Sequence, residues 1–356
     1  MRKTWGFALL ILAFLAAAPG AAQGRQITDL AGRRVAVPDK IRKVYCMSPT
    51  CQVLMYTLAP DLLAGWNYQP TPGEKALLVA PYRDLPVLGG WFGRNNTGNI
   101  EEIMKIHPDA MISIGDPMAV SVAERVEKQT GLPVLIGDWS LEKLADDYRL
   151  LGALTGRQAR AQQLAEYCAR TLARIKAKVA GIPEAQKRRV YYAEGPKGLS
   201  TDPGGSAHSQ SIVFAGGHNV AEVQDDHGYG EIPVSMEQIL SWNPEIVIAG
   251  YDHEMSPGAF YRGIWSDPLW QQVKAVKERA VYEAPQFPFN WIDRPPSANR
   301  VIGILWLANI FYPDRFHDNL RKETRKFYKL FYHRALSESE LSVLLAQTVK
   351  HGDKVP

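Results

Sequence analysis

Residues 98–112, GNIEEIMKIHPDAMI, and residues 234–248, VSMEQILSWNPEIVI, carry one pattern: Glu-x-Ile, four residues, Pro, an acid, two residues, Ile. The copies lie too far apart for a solenoid, whose repeats recur every ~20–50 residues. They call instead for two similar lobes. Each copy reads as the same mechanical unit. Glu101 or Glu237 opens an amphipathic helix, in the turn where the helix dipole favours an acid. Ile103 and Ile106 fall on one face, and the helix ends at His107-Pro108, because the residue before proline is pushed out of the helical region. Asp109 or Glu245 follows in the turn, and MISI or IVIA then reads as a buried parallel strand.

The units around the copies agree. A hairpin is expected over ITDLAGRRVAV, residues 27–37, and short strands at KVYCM, LPVLIG, RRVYYAEG and AVYEA, with helices between them. Strand, loop, helix, strand recurs throughout, which is the α/β signature. A 22-residue signal peptide is expected first: Arg2 and Lys3, an apolar run to Ala18, and small residues around Ala22. The apolar run is short for a span of about 20 residues, and no Cys follows it directly, so export without a lipid anchor is expected. The remaining boundaries read as an N-terminal lobe over 23–155, a connecting helix over 156–182 and a C-terminal lobe with terminal helices over 183–356. The connector's apolar stripe runs Leu164, Cys168, Leu172, Ile175, Val179.

The formal net charge is only +4, two of it from Arg2 and Lys3, and the basic residues are scattered, so no nucleic-acid footprint exists. Catalytic signatures are missing as well: there is no H-E-x-x-H, G-x-S-x-G or G-x-x-x-x-G-K-[ST], and SAHS is not a nucleophile elbow. That argues against an enzyme, although an exported hydrolase stays an alternative. Cys46 and Cys51 could pair if CMSPTC turns sharply, or could be two small residues in a loop; Cys168 reads as buried in a helix.

In open α/β sheets, ligands lie beyond the carboxyl ends of the strands. That rule nominates Ser48 to Cys51, Trp66 to Tyr68, Trp91 to Asn96 and Asp116 in the first lobe. In the second lobe it nominates Glu194 onward with His208, Tyr251 to His253, and Phe287 to Arg294. Trp91 beside Arg94 suits a flat anionic ligand, or else covers a sheet edge. Trp291, Asp293 and Arg294 offer a similar set, although Arg294 could instead cap a helix or pair with Asp293. His208, Tyr251 and, more weakly, His227 could complete a ferric chelate's coordination or serve as ordinary loop residues. No protein-held metal cage or cofactor is expected.

From ITDLAGRRVAVP through NIEEIMKIHPDAMI, SLEKLADDYRLLGALTGR and VSMEQILSWNPEIVI, the chain resembles the substrate-binding proteins of ABC importers for iron–siderophore, haem and cobalamin. The resemblance implies two Rossmann-like lobes with mainly parallel sheets, one long connecting helix, and a ligand cleft between the lobes. It also implies a periplasmic monomer that hands a metal chelate, a ferric siderophore foremost, to an inner-membrane permease. Glu101 and Glu237 match the family's two docking acids. Two departures leave the ligand open: Gln52-Val53 stands where many relatives carry Thr-Glu, and FNWIDRPPSANRVIGILWLANIFYP is longer than in cobalamin binders. Molybdate or tungstate, nickel or cobalt chelates, haem and cobalamin remain alternatives. By the same reading, aromatic cleft walls favour a chelate and a polar pocket favours an oxyanion.

Overall fold

The computed structural model describes residues 24–92, 97–115, 118–225, 230–250 and 258–353. The expected signal segment lies outside these residues. The first copy of the repeated pattern forms the helix Ile100–Lys105 and the strand Ala110–Gly115. The second forms the helix Met236–Trp242 and the strand Ile246–Ala249. Each strand takes a central place in a parallel sheet. Ala110–Gly115 lies between Val44–Cys46 and Val134–Asp138, and Ile246–Ala249 lies between Arg189–Ala193 and Val281–Glu283.

The likeness reaches the backbone. His107 and Asn243, each just before the proline, adopt left-handed φ values of 49° and 45°. In both copies the acid after the proline joins the new strand to its neighbour. Asp109 donates its N–H to the Lys43 carbonyl, and its Oδ2 accepts from the Arg42 and Lys43 amides. Glu245 donates its N–H to the Arg189 carbonyl, and its carboxylate accepts from the Arg189 amide and Lys274 Nζ.

The helix Gln158–Val179, 22 residues and about 33 Å long at 1.5 Å per residue, links the two halves. Its buried face carries Ala161, Leu164, Ala165, Tyr167, Cys168, Leu172 and Ile175, close to the expected stripe. The hairpin is Arg25–Thr28 with Arg34–Val37. Cys46 and Cys51 are joined, with Cα atoms 5.4 Å apart, and Cys168 is free and buried. The bridge links the end of the strand Val44–Cys46 to the first turn of the helix Pro49–Leu58, which Ser48 caps.

The terminal region bridges both halves, and its last residues bond the second sheet, where the Glu283 amide donates to the Gln347 carbonyl. The helix Leu320–Phe331 and the residue after it pack rings against the first half and the connecting helix: Tyr332 on Tyr56, and Phe331 on Tyr148 and on Tyr167 of the connector. One continuous apolar core therefore runs from the first lobe through the connecting helix into the terminal helices, which sets the two halves firmly relative to one another. No helix among the described residues is long and apolar enough to cross a membrane.

Candidate functional site

The carboxyl ends of the two sheets converge on one polar cluster. Beyond the first sheet, the chain leaves Val134–Asp138 through Trp139. Beyond the second, Glu194 follows Arg189–Ala193, and His208 sits in the single turn Ala207–Ser209, whose Ser206 cap accepts from the His208 amide. The rings of Trp139 and His208 meet edge to face, with centroids 5.6 Å apart.

The segment between Pro285 and Arg294 forms a seam between the halves. Phe287 covers Gly73, Phe289 lies 6.3 Å from Trp66, and Trp291 Nε1 donates to Tyr328 Oη at 3.3 Å. Nearly every residue of this bent segment is buried, Asn290 and Ile292 as well as Phe289 and Trp291, with Phe287 only partly so. Trp291 is 0% exposed, and Gly303 of the helix Asn299–Phe311 fits directly against its carbonyl. The expectation that Trp291 faces a ligand is therefore corrected: it is a packing residue.

At the end of the seam, Asp293 and Arg294 turn into the polar cluster. Asp293 Oδ2 stands 2.6 Å from His208 Nδ1. Burial opposes the charge on His208, but the Asp293 carboxylate outweighs it and raises the imidazole above its usual value. Burial likewise opposes charge on Asp293, yet His208 with Arg294 and Arg300 holds its carboxyl below the usual range. Both directions favour the charged form of each partner in the pair. Nδ1 is committed to Asp293, and Nε2 has no partner among the described residues.

Arg294 has a left-handed φ of 52° and is gripped by carboxylates. Its Nε donates to Glu194 at 2.9 Å and its Nη2 to Asp202 at 3.0 Å, with Glu231 at 3.6 Å. Burial works against its charge, but Glu194, Asp293 and Asp202 together raise its pKa further. Burial pushes Glu194 and Asp202 upward against the pull of Arg294. A guanidinium held this way is a fixed structural cation, the ion-pair alternative extended to three more carboxylates. The partners come from positions 194, 202, 231 and 293, a set no sequence spacing could have announced.

Trp91 is half-buried. Its indole lies over Gly98, where an added Cβ would stand 2.5 Å from the ring, and its edge meets Tyr45 at 6.2 Å. One ring face is thus occupied by its own loop. Arg94 and Tyr251 fall outside the described residues, as do Asp116, His227 and His253. Glu101 and Glu237 are exposed in the first turns of the two matched helices, capped by Asn99 and Ser235. No group of three or more His, Cys, Asp or Glu among the described residues is arranged to hold a metal ion.

Comparison with known proteins places this architecture. The model of the periplasmic binding protein family matches residues 90–287, more than half of the chain. The chain belongs to the periplasmic binding protein family. An ABC transporter solute binding protein from Sulfurospirillum deleyianum superposes with a TM-score of 0.84 at 31% identity, covering 90% of this chain and 99% of its own. The molybdate-binding protein MolA of Haemophilus influenzae is 26% identical over 331 residues, 86% of this chain and 91% of the relative. The high-affinity heme uptake system protein IsdE of Staphylococcus aureus is 26% identical over 256 residues, 68% of this chain and 80% of the relative. This periplasmic binding protein thus has two α/β lobes with parallel sheets, and relatives it resembles are named as solute- and molybdate-binding proteins. Sequence reasoning did not single out Trp139, which borders His208, nor Gln210 and Arg300, whose side chains bond at 3.2 Å. Trp139 directly follows a strand's carboxyl end, the one signal that could have found it.

Proposed function

We propose that this protein is exported to the periplasm and passes its solute to an ABC-type permease, and that the solute is a compact metal oxyanion such as molybdate or tungstate. The observation that carries this reading is the His208–Asp293 pair where the carboxyl ends of both sheets meet. An imidazolium whose Nδ1–H is held by a carboxylate keeps Nε2–H to donate, and charge-assisted donors suit oxyanions. The aromatic walls a flat chelate would need are reduced, because Trp291 is in the core and one face of Trp91 rests on Gly98. The molybdate-binding relative also matches 86% of the chain, against 68% for the haem-uptake relative.

A second reading, a ferric siderophore, is favoured by the rings of Trp91 and Trp139, each only half-buried. In either case Glu101 and Glu237 supply one acidic contact per lobe to the permease, acting through encounter rate and register, and a monomer suffices.

Titration calorimetry at neutral pH with molybdate, tungstate, a ferric tris-catecholate, haemin, cobalamin and nickel–histidine tests the reading. Saturable one-to-one binding of molybdate, weakened about tenfold or more by His208→Ala, is expected. Binding of the catecholate without molybdate would transfer the assignment to the second reading. Silence toward the whole panel, with turnover of an ester or peptide, would point to the hydrolase instead.

A further inference from the structure

We propose that Arg300, acting with Gln210, is a clasp that ties the two lobes together and positions His208 against Trp139. Arg300 is 1% exposed, one of the largest fully buried side chains, yet no carboxylate among the described residues lies within ion-pair distance of it. Its guanidinium instead spans the halves. Nη2 donates to the backbone carbonyl of Trp139, and Nη1 donates to Gln210 Oε1 at 3.2 Å. The same Gln210 oxygen accepts from the Leu141 amide at 3.3 Å, and Gln210 Nε2 donates to Glu142 at 3.3 Å. Trp139, Leu141 and Glu142 belong to the first lobe; Arg300 and Gln210 belong to the second.

A buried guanidinium is expensive, and apolar residues of similar volume commonly replace such groups without loss of stability. What an apolar replacement could not do is bind a backbone carbonyl of the opposite lobe. Burial lowers the Arg300 pKa to about 10, with Asp293 and Asp147 opposing, so it stays a cation at neutral pH. Its hold on the Trp139 carbonyl fixes the indole that borders His208. The seam of Phe287 and Phe289 closes the lobes at a second place, against Gly73 and Trp66. Two tied places leave little freedom to rotate, so the site is preformed and binding orders little further structure. Arg300 and Gln210 act through His208 and Trp139 and are positioning residues. This inference rests on the solute reading above only for its affinity test.

The test compares the full-length mature protein with Gln210→Ala and Arg300→Gln. Amide exchange is followed by NMR at Leu141 and in the strands Ala110–Gly115 and Ile246–Ala249. Exchange at Leu141 should accelerate roughly tenfold or more in both variants while both central strands keep their rates. Molybdate affinity should fall about tenfold, and the loss should not add to that of His208→Ala. If Arg300→Gln does not fold, Gln210→Ala decides alone, since its side chain is only half-buried. Unchanged exchange at Leu141, or equal acceleration in both sheets, overturns the clasp. Faster exchange at Leu141 with unaltered molybdate affinity overturns the positioning role. If the unmodified protein ignores molybdate, the solute reading fails, and the exchange data still decide the clasp.

Discussion

Asp293→Asn should make the stability of this protein depend on pH in a way that isolates the His208 pair. The two side chains stand 2.6 Å apart, with Asp293 fully buried and His208 only 11% exposed. His208 is held above its ordinary value, so its contribution is complete below about pH 6.5 and is lost as pH rises through the raised value. Asp293 is held below the carboxylate range, so its contribution is present above about pH 4 and is lost as pH falls through the depressed value. The pair is therefore strongest between those limits. Removing one partner of a buried pair costs about 3–5 kcal/mol. Asparagine keeps the shape and His208 can shed its proton, so the lower end, about 3 kcal/mol, is expected at pH 6. Above the raised His208 value the unmodified protein keeps only a hydrogen bond from neutral imidazole to carboxylate, worth about 1.5 kcal/mol. One proton is involved, so the difference cannot change faster than about 1.4 kcal/mol per pH unit. Urea unfolding of both proteins from pH 6 to 9 measures the difference, and NMR titration reports His208 directly. In the variant His208 should titrate below about 6.5, because burial and Arg294 both oppose its charge. A stability difference constant across this range, or a His208 value unchanged by the substitution, would refute the reasoning.

Four further outcomes are expected. Burial pushes Glu283 up to about 7 against the pull of Arg262; the folded state then holds the proton more tightly, so stability falls as pH rises from about 4 through 7, and Glu283→Gln flattens that slope in melts at pH 6 and 8. Replacing both Cys46 and Cys51 by Ser opens a short loop and should cost about 2 kcal/mol in chemical denaturation. Trp291→Ala should cost about 3–5 kcal/mol of stability, whereas a stable variant that loses solute affinity would return Trp291 to the cleft. Glu101→Arg with Glu237→Arg should abolish uptake in cells while calorimetry finds solute affinity unchanged; uptake that persists would remove the docking role.

The sequence showed the scaffold well, for a local reason. Helix, proline, acid and strand are neighbours in the chain, so both copies of the repeat were legible as helix, turn and strand, although the sequence placed the acids only in the turn and did not show that they stitch adjacent strands. The connecting helix was legible by its stripe. The site was less so, because burial is a property of the fold. Trp291 sits beside Asp293 and two prolines and looks like loop, but the helix Asn299–Phe311 and Tyr328 close over it and bury it. Arg294 looked available until Glu194, Asp202 and Glu231 arrived from three other segments. The clasp joins positions 139, 210 and 300, and only the closure of the two halves brings them together.

The anchoring by Asp109 and Glu245 has a further implication. Each carboxylate fastens the start of a central strand, at the edge of the sheet away from the solute. Whatever happens at the far edge, the frame of each lobe is already secured from behind. Loops facing the cargo are then free to diverge without loosening the chassis, which gives a physical basis for one architecture serving receptors of unlike specificity.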